Sequence, residues 1–255
     1  MTFAMRDSTQ EKWDQLILAL PGRHILQSRE WGEAKRISGW KPAYKTWWDS
    51  EDQIAAAALI LTRTISLKGI EFPLRIMYIP RGPILREWVD HDLRTKVLGD
   101  LRTFGKQQNA VFIKMDPEVE RGRGVPGEDG VDDNPLTQEL LADLGSNAWV
   151  PSPEQVQFRN TMMIDLSPDA EQLLANMKQK TRYNVRLAQR RGVSIRPGDV
   201  SDLDLLFKMY AETSVRDGFT IRNSEYYLSL WRDFISAGLA EPLLAEVDGE
   251  PVAGV

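Results

Sequence analysis

Apolar positions recur at helical and at strand spacing along most of the chain, and the two periods alternate. Residues 9 to 20 carry an amphipathic helical pattern that Pro21-Gly22 closes. Ser28 stands three residues before Trp31, the spacing of an N-cap, and opens a second helix that carries Lys35. From Lys41 to Leu61 the pattern is that of two strands turning at Asp49-Ser50-Glu51-Asp52, a β-hairpin. Ile70 to Ile79 reads as a further strand that runs into Tyr78-Ile79-Pro80-Arg81-Gly82-Pro83. A helix is expected over residues 90 to 108, and a buried strand over Asn109 to Met115.

The apolar pattern lapses between residues 117 and 135, where Gly, Pro, Asp and Glu dominate. This stretch cannot pack a core and reads as a mobile loop. Pro151 to Gln157 reads as a connection between domains. A strand is expected at Thr161 to Leu166. A helix then starts at Ser167-Pro168-Asp169, with Ser as N-cap, and runs with a break to Gly192. Val193 to Arg196 reads as a strand, Leu203 to Arg216 and Tyr226 to Ile235 as helices. Leu243 to Val255 opens a hairpin through Asp248-Gly249, the strongest short hairpin signal in the chain. The segments 52 to 57 and 249 to 254 resemble each other, a weak internal repeat. The chain ends in mid-hairpin, so the second unit reads as lacking its C-terminal half.

Composition narrows the class. With 42% hydrophobic and 27% charged residues the chain is an ordinary globular sequence of 255 residues, long enough for one large domain or two small ones. No apolar run approaches the ~20 residues of a membrane-spanning helix, so no transmembrane segment is expected. The N-terminus lacks the apolar stretch of a signal peptide. Cys is absent, which excludes disulfides and thiolate zinc sites and fits a reducing compartment. His24 and His91 are too isolated to hold a metal, and both read as surface or structural histidines.

Charge changes the picture most. The chain has a formal net charge of -5, yet Lys178, Lys180, Arg182, Arg186, Arg190, Arg191 and Arg196 lie between Gln172 and Gly198 with no acid among them. Lys178, Arg182, Arg186 and Arg190 recur every four residues and share one helix face. Fixed cations focus potential on phosphate or carboxylate, so this stretch marks a place for an anionic partner. Overall acidity excludes a general nucleic-acid coat protein but permits a local phosphate site. One near-motif is a decoy. Arg121-Gly122-Arg123-Gly124-Val125-Pro126 approaches the loop that holds acetyl-CoA pyrophosphate, but Pro126 removes a backbone donor that loop needs, and no strand leads into it.

Several strings occur in one order: Leu26-Gln27-Ser28-x-x-Trp31-Gly32-x-x-Lys35, Met77-Tyr78-Ile79-Pro80-Arg81-Gly82-Pro83, Met177 to Arg186 with Gly192-Val193, and Arg216-Asp217-Gly218-Phe219. In these the chain resembles the FemABX family of aminoacyl-tRNA-dependent transferases, from about residue 25 to 255. The most specific part is Lys180-Thr181-Arg182-Tyr183-Asn184, followed by Arg190-Arg191-Gly192-Val193. The resemblance implies an α/β (α+β layered) fold of two packed GNAT-like acyltransferase domains, residues 1-157 and an incomplete 158-255.

The same resemblance implies a function in peptidoglycan biosynthesis, and so in cell-wall biogenesis and cell shape. Ser, Ala or Gly would pass from aminoacyl-tRNA to the stem-peptide amine of a UDP- or lipid-linked muramyl pentapeptide precursor. The donor is already an ester, so neither ATP nor metal is called for and no cofactor is expected. A cytoplasmic location follows, with peripheral association at the inner membrane face. Lys35, Tyr78, Arg81, Lys180, Arg182, Asn184, Arg216 and Arg222 are the substrate-binding candidates, and Arg186, Arg190 and Arg191 the tRNA contacts. Arg supplies a planar fork for phosphate and Lys a compact charge. No Ser-His-Asp or Cys-His set is found, and the catalytic residues are expected beyond Val255. Two other readings stay open: a GNAT N-acyltransferase using acyl-CoA, and a nonenzymatic RNA- or phosphate-binding module, which would bind with steep salt dependence and without turnover.

Overall fold

The computed structural model describes residues 2–67, 69–125, 128 and 131–255. The chain divides into two compact units, Met1–Arg159 and Asn160–Val255. Both are mixed α/β, the class read from the sequence.

The first unit opens with β1 (Ala4–Asp7) and α1 (Gln10–Leu18), then a single 3-10 turn at Ile25–Gln27 and α2 (Arg29–Arg36). The Ser28 side chain accepts from Trp31 N and caps α2, as the spacing predicts. The hairpin β2 (Lys41–Trp48) and β3 (Ile54–Leu67) follows. Its turn is held by Asp49 Oδ1, which accepts from Glu51 N and Gln53 N at 3.1 and 2.9 Å. Next come β4 (Ile70–Ile79), the short β5 (Ile84–Leu85), α3 (His91–Gln107) and β6 (Ala110–Met115). The sheet runs β1-β2-β3-β4-β6, with β5 against the start of β3. All pairs are antiparallel except β4 and β6, which α3 crosses over to connect.

β3 is buried on both faces, which accounts for its unbroken apolar run. Ala56, Ala58 and Ile60 pack with Trp47, Met77 and Ile79 and with Leu93, Val97 and Leu101 of α3. Ala57, Leu59 and Leu61 pack on the other face with Trp13, Ile17, Leu20 and Tyr44. β6 departs from expectation. It pairs only with β4 at the sheet edge, and Val111 and Phe112 are exposed rather than buried. The described residues between 117 and 135 include a short ladder and two side-chain bonds. β7 (Gly122–Arg123) pairs with β8 (Asp132–Asp133), and Asn134 Nδ2 and Thr137 Oγ1 both donate to Glu120 O. Pro126 of the decoy loop lies outside the described residues. Asn134 caps α4 (Pro135–Ser146), a helix that the sequence pattern did not disclose.

The second unit contains α5 (Ala170–Asn176), α6 (Gln179–Arg190), β9 (Ser194–Pro197), a 3-10 turn at Val200–Asp202, α7 (Leu203–Asp217), α8 (Ser224–Ser236), β10 (Leu243–Val247) and β11 (Glu250–Gly254). Its sheet is β11-β10-β9, antiparallel throughout. The Asp248-Gly249 turn is present, with φ of 53° and 80°. The core is small: Leu203, Leu206 and Leu244, flanked by Leu205, Leu228, Trp231 and Ile235.

Two local expectations fail here. Thr161 to Leu166 forms no strand, and Met162 is 93% exposed. Alternating apolar residues make a strand only where a neighbouring backbone completes the ladder, and the described ladders of this unit join β9, β10 and β11 alone. The cap of α5 is Asp169, not Ser167. Asp169 Oδ1 accepts from Gln172 N at 2.8 Å, while Ser167 N donates to Asp165 Oδ1.

Candidate functional site

In the first unit the candidates Tyr78 and Arg81 meet around a third residue. β4 and β6 are parallel, with Ile79 opposite Met115, so the residues that follow each strand emerge side by side at the carboxyl ends. From β6 that residue is Asp116. Its Oδ1 accepts from Arg81 N at 2.6 Å and its Oδ2 from the Tyr78 hydroxyl at 2.9 Å. Gln157 Nε2 donates to the Tyr78 oxygen at 3.3 Å. Arg81 takes φ 48°, a left-handed conformation that costs a non-glycine residue about 1–2 kcal/mol. Its guanidinium donates to Phe158 O at 3.0 Å and lies 3.7 Å from Glu118 Oε1, and its Nε is buried without a partner.

Burial governs the protonation of this cluster. It raises the Asp116 carboxyl above the ordinary range, against the opposing pull of the Arg81 amide, the Tyr78 hydroxyl and the Arg81 charge. Burial likewise raises the Tyr78 phenol. His24, 3.9 Å from Glu118 Oε1, is lowered chiefly by burial, with Glu118 acting the other way. A cleft of about 210 Å³ lies beside the turn, lined by Arg81, Pro83, Arg86, Trp88 and Glu118 among others.

Gln27 fixes the turn from below. It is wholly buried. Its Nε2 donates to Pro80 O, its Oε1 accepts from Leu59 N at 2.8 Å, and its carbonyl accepts from Trp13 Nε1. One side chain thus ties the start of α2 to β3 and to the end of β4. A Cβ at Gly82 would stand 2.7 Å from Gln27 Nε2, so the glycine is needed for this close approach. Lys35, in the last turn of α2, places its ammonium 4.0 Å from the centre of the Trp31 ring.

In the second unit the basic stretch is α6 and its flanks. Lys178 stands at the N-cap and carries no acceptor, so no side chain caps the helix. Lys180 and Arg182 occupy the first turn, where the helix dipole disfavours cations and favours an anion. Arg182 Nη1 is engaged, donating to Ala175 O at 2.8 Å and to Met177 O, and this staples the α5–α6 corner. Its fork carries further N–H donors. Lys180, Asn184, Arg186, Arg190 and Arg191 are exposed. Arg182, Arg186 and Arg190 line an open groove along α6 with Tyr183. Arg190 and Arg191 close the helix, where cations complement its dipole.

Three other cations stand differently. Arg196 does not belong to the free basic patch: it donates to Glu246 and, through both terminal nitrogens, to Asp202, joining β9, β10 and the 3-10 turn. Arg216 pairs with its neighbour Asp217 at 2.9 Å. Arg222 lies over the Tyr226 ring at 4.6 Å.

Sequence reasoning missed Asp116, Gln157 and the role of Gln27. The first was within reach. A strand–helix–strand pattern over residues 70 to 115 predicts parallel neighbours, and so predicts that Asp116 emerges beside the Tyr78–Arg81 turn. Among the described residues, no group of three or more His, Cys, Asp or Glu is arranged to hold a metal, and no helix is long and apolar enough to cross a membrane.

Comparison with known proteins places these features in context. The FemAB family model matches residues 8–250. A lipid II:glycine glycyltransferase of Staphylococcus haemolyticus (strain JCSC1435) is 24% identical over 244 residues, covering 96% of this chain and 55% of that protein. A protein of the same name from Staphylococcus aureus (strain MRSA252) is 25% identical, covering 94% and 54%. The crystal structure of FemX superposes with a TM-score of 0.79 at 23% identity, over 96% of this chain and 58% of that one. The chain therefore spans about half the length of the curated relatives it matches, and it shares the FemX fold.

Proposed function

The chain belongs to the FemAB family, and from that premise we propose that it serves an aminoacyltransferase of peptidoglycan bridge formation. The observation that carries this reading is the family match over residues 8–250. The names of the relatives point to lipid II as acceptor and glycine as the amino acid to try first, with Ser and Ala next. The stem-peptide amine attacks the ester carbonyl of an aminoacyl-tRNA. A C–N bond forms, the ester C–O bond breaks, and the proton lost by the amine ends on the departing 3′-hydroxyl. The reaction needs placement of two large anionic substrates and cations near their phosphates.

Candidate contacts fall in each unit. In the first, Lys35, Tyr78 and Arg81 are proposed to meet the acceptor. In the second, Lys180, Arg182, Asn184, Arg216 and Arg222 are proposed to do so, with Arg186, Arg190 and Arg191 set for the tRNA backbone. The open start of α6 supports the phosphate reading, since uncapped N–H groups and first-turn cations together favour an anion. Arg216 also pairs with its exposed neighbour Asp217 at 2.9 Å. The two units are proposed to be a pair of GNAT-like domains, and the sequence boundary at 157/158 falls beside the division after Arg159. A cytoplasmic site of action at the inner membrane face belongs to the same proposal.

The test is transfer of labelled glycine from glycyl-tRNA to a lipid-linked muramyl pentapeptide. Product that depends on both substrates supports the reading. Binding of tRNA without consumption of its ester by the full-length protein overturns it in favour of a nonenzymatic RNA-binding module.

A further inference from the structure

The aromatic rings of α7 and α8 pack against one another: Tyr210, Tyr227 and Trp231 have ring centres 5.2 to 6.2 Å apart. Tyr183 stands apart from them on α6, a helix without a buried residue, and is 56% exposed. We propose that Tyr183 is a stacking platform for an unpaired nucleobase of the tRNA acceptor end, beside a backbone track made by Arg186 and Arg190. The inference rests on the reading of Arg186, Arg190 and Arg191 as tRNA contacts.

Three observations support it. The groove along α6 is lined by Gln179, Arg182, Tyr183, Arg186, Gln189 and Arg190, so the ring shares one stripe with the cations. Arg182, Arg186 and Arg190 recur every four residues, about 6 Å apart along the axis, and no acid lies between Gln172 and Gly198. A line of charge of this kind follows a phosphate backbone, and the ring beside it offers a flat apolar face on which a base can stack. The ring also has no part in the core. A side chain left in water contributes no burial energy, and α6 buries none of its residues. Finally, the two glutamines lie toward the ends of the stripe. Their amides both donate and accept, which suits the edge of an unpaired base and is not needed for phosphate alone.

The chemistry selects a single strand. A duplex keeps its base faces stacked inside, so a ring on a helix surface gains nothing from it, whereas an unpaired end exposes them. The aminoacyl ester sits at the unpaired 3′ end of the tRNA. Lys180, Arg182 and Asn184, proposed for the acceptor, adjoin Tyr183 in the sequence, so the RNA that reaches this helix beside the acceptor is that end. Arg182 already donates to Ala175 O and Met177 O, and Arg190 Nε to Arg186 O at 3.4 Å. The whole Arg186 fork and the terminal nitrogens of Arg190 are further donors for the backbone. A free diphosphate or an acidic peptide would use these cations and leave the ring without a contact.

The experiment measures binding of deacylated tRNA to the full chain by fluorescence anisotropy over a series of salt concentrations. A second RNA lacks the unpaired 3′ nucleotides, and a third carries a fluorescent adenine analogue among them. Wild type is compared with Tyr183→Phe, Tyr183→Ala and Arg186→Ala, and melting temperatures are followed alongside. Tyr183→Ala is expected to weaken binding of intact tRNA about tenfold, with the salt slope kept and the truncated RNA bound as before. Tyr183→Phe should keep the affinity, because the ring face and not the hydroxyl makes the contact. Arg186→Ala should weaken both RNAs alike and lower the salt slope by about one. The adenine analogue should be quenched on binding to wild type and not to Tyr183→Ala. Unchanged affinity of Tyr183→Ala for intact tRNA, or an equal loss on both RNAs, would overturn this inference alone. A lowered melting temperature in Tyr183→Ala would assign the ring to the fold and overturn it too. A folded wild-type chain that binds neither RNA would overturn the tRNA reading of α6, and this inference with it.

Discussion

In the first unit Trp13, Trp47, Leu59 and Ile60 are wholly buried, and Asp116 is gripped between two donors. In the second unit the core comes down to Leu203, Leu206 and Leu244, and α6 has no buried residue at all. The contrast separates two ways of preparing a site. The first unit holds its candidate groups in a buried hydrogen-bonded frame, which fixes direction. The second unit presents cations from a solvated helix, which fixes charge and leaves direction loose. Phosphate tolerates the second arrangement, because it offers several equivalent oxygens.

The sharpest break of this comparison is in the cores. Ile60→Ala, in a strand packed on both faces, is expected to cost about 2–5 kcal/mol. Leu206→Ala, in a cluster of three, falls at the low end of that range. Urea unfolding of the two variants checks this, and equal large costs would mean that the second unit is as tightly built as the first. Gln27→Ala comes next. It strips partners from Leu59 N and Pro80 O in a buried setting, at about 2–3 kcal/mol. The same variant should loosen the Tyr78–Arg81 turn, read as weaker acceptor binding in whatever fraction stays folded.

Charge substitutions are smaller. Lys35→Ala and Arg182→Ala are each expected to weaken acceptor binding about tenfold, or about 1.4 kcal/mol. Arg182→Lys should recover little of this, because Lys cannot reach the two carbonyls of the α5–α6 corner and offer a fork at once. Full affinity in Arg182→Ala would reassign that residue to the corner alone.

The smallest effect concerns acid. Asp202 is held down to about 2 by its bonds from Arg196 and from the Asp199 amide. A carboxyl lowered from 3.8 contributes stability above that value and loses it as pH falls toward about 2. Asp202→Asn should remove this acid-sensitive step, seen as a flatter circular-dichroism signal between about pH 4 and 2, the window such a lowered carboxyl sets. A step of unchanged size would place it elsewhere.

The hairpins and most helices of both units were legible because local chemistry dictates them; α4 was not. Ser28 caps, Asp49 and Asp248 turn, and β3 is apolar on both faces. The failures share one cause, dependence on distant backbone. Phe112 is apolar yet lies on an edge strand, and Met162 to Leu166 has the strand pattern without a ladder. The site was half legible. The α6 cations stand out by their spacing, whereas Tyr78, Arg81 and Lys35 are candidates through the family resemblance. Asp116 becomes visible only once β4 and β6 are known to be parallel. Arg196 looked like part of the basic patch, because its acids, Asp202 and Glu246, lie outside the run and reach it only through the fold.

The most direct measurement is a calorimetric titration of the purified chain with UDP-linked muramyl pentapeptide at two salt concentrations, beside Lys35→Ala and Arg182→Ala. The account predicts saturable binding that weakens at higher salt and is reduced in both variants. A folded chain that ignores the nucleotide, yet binds RNA with a steep salt dependence, would contradict it.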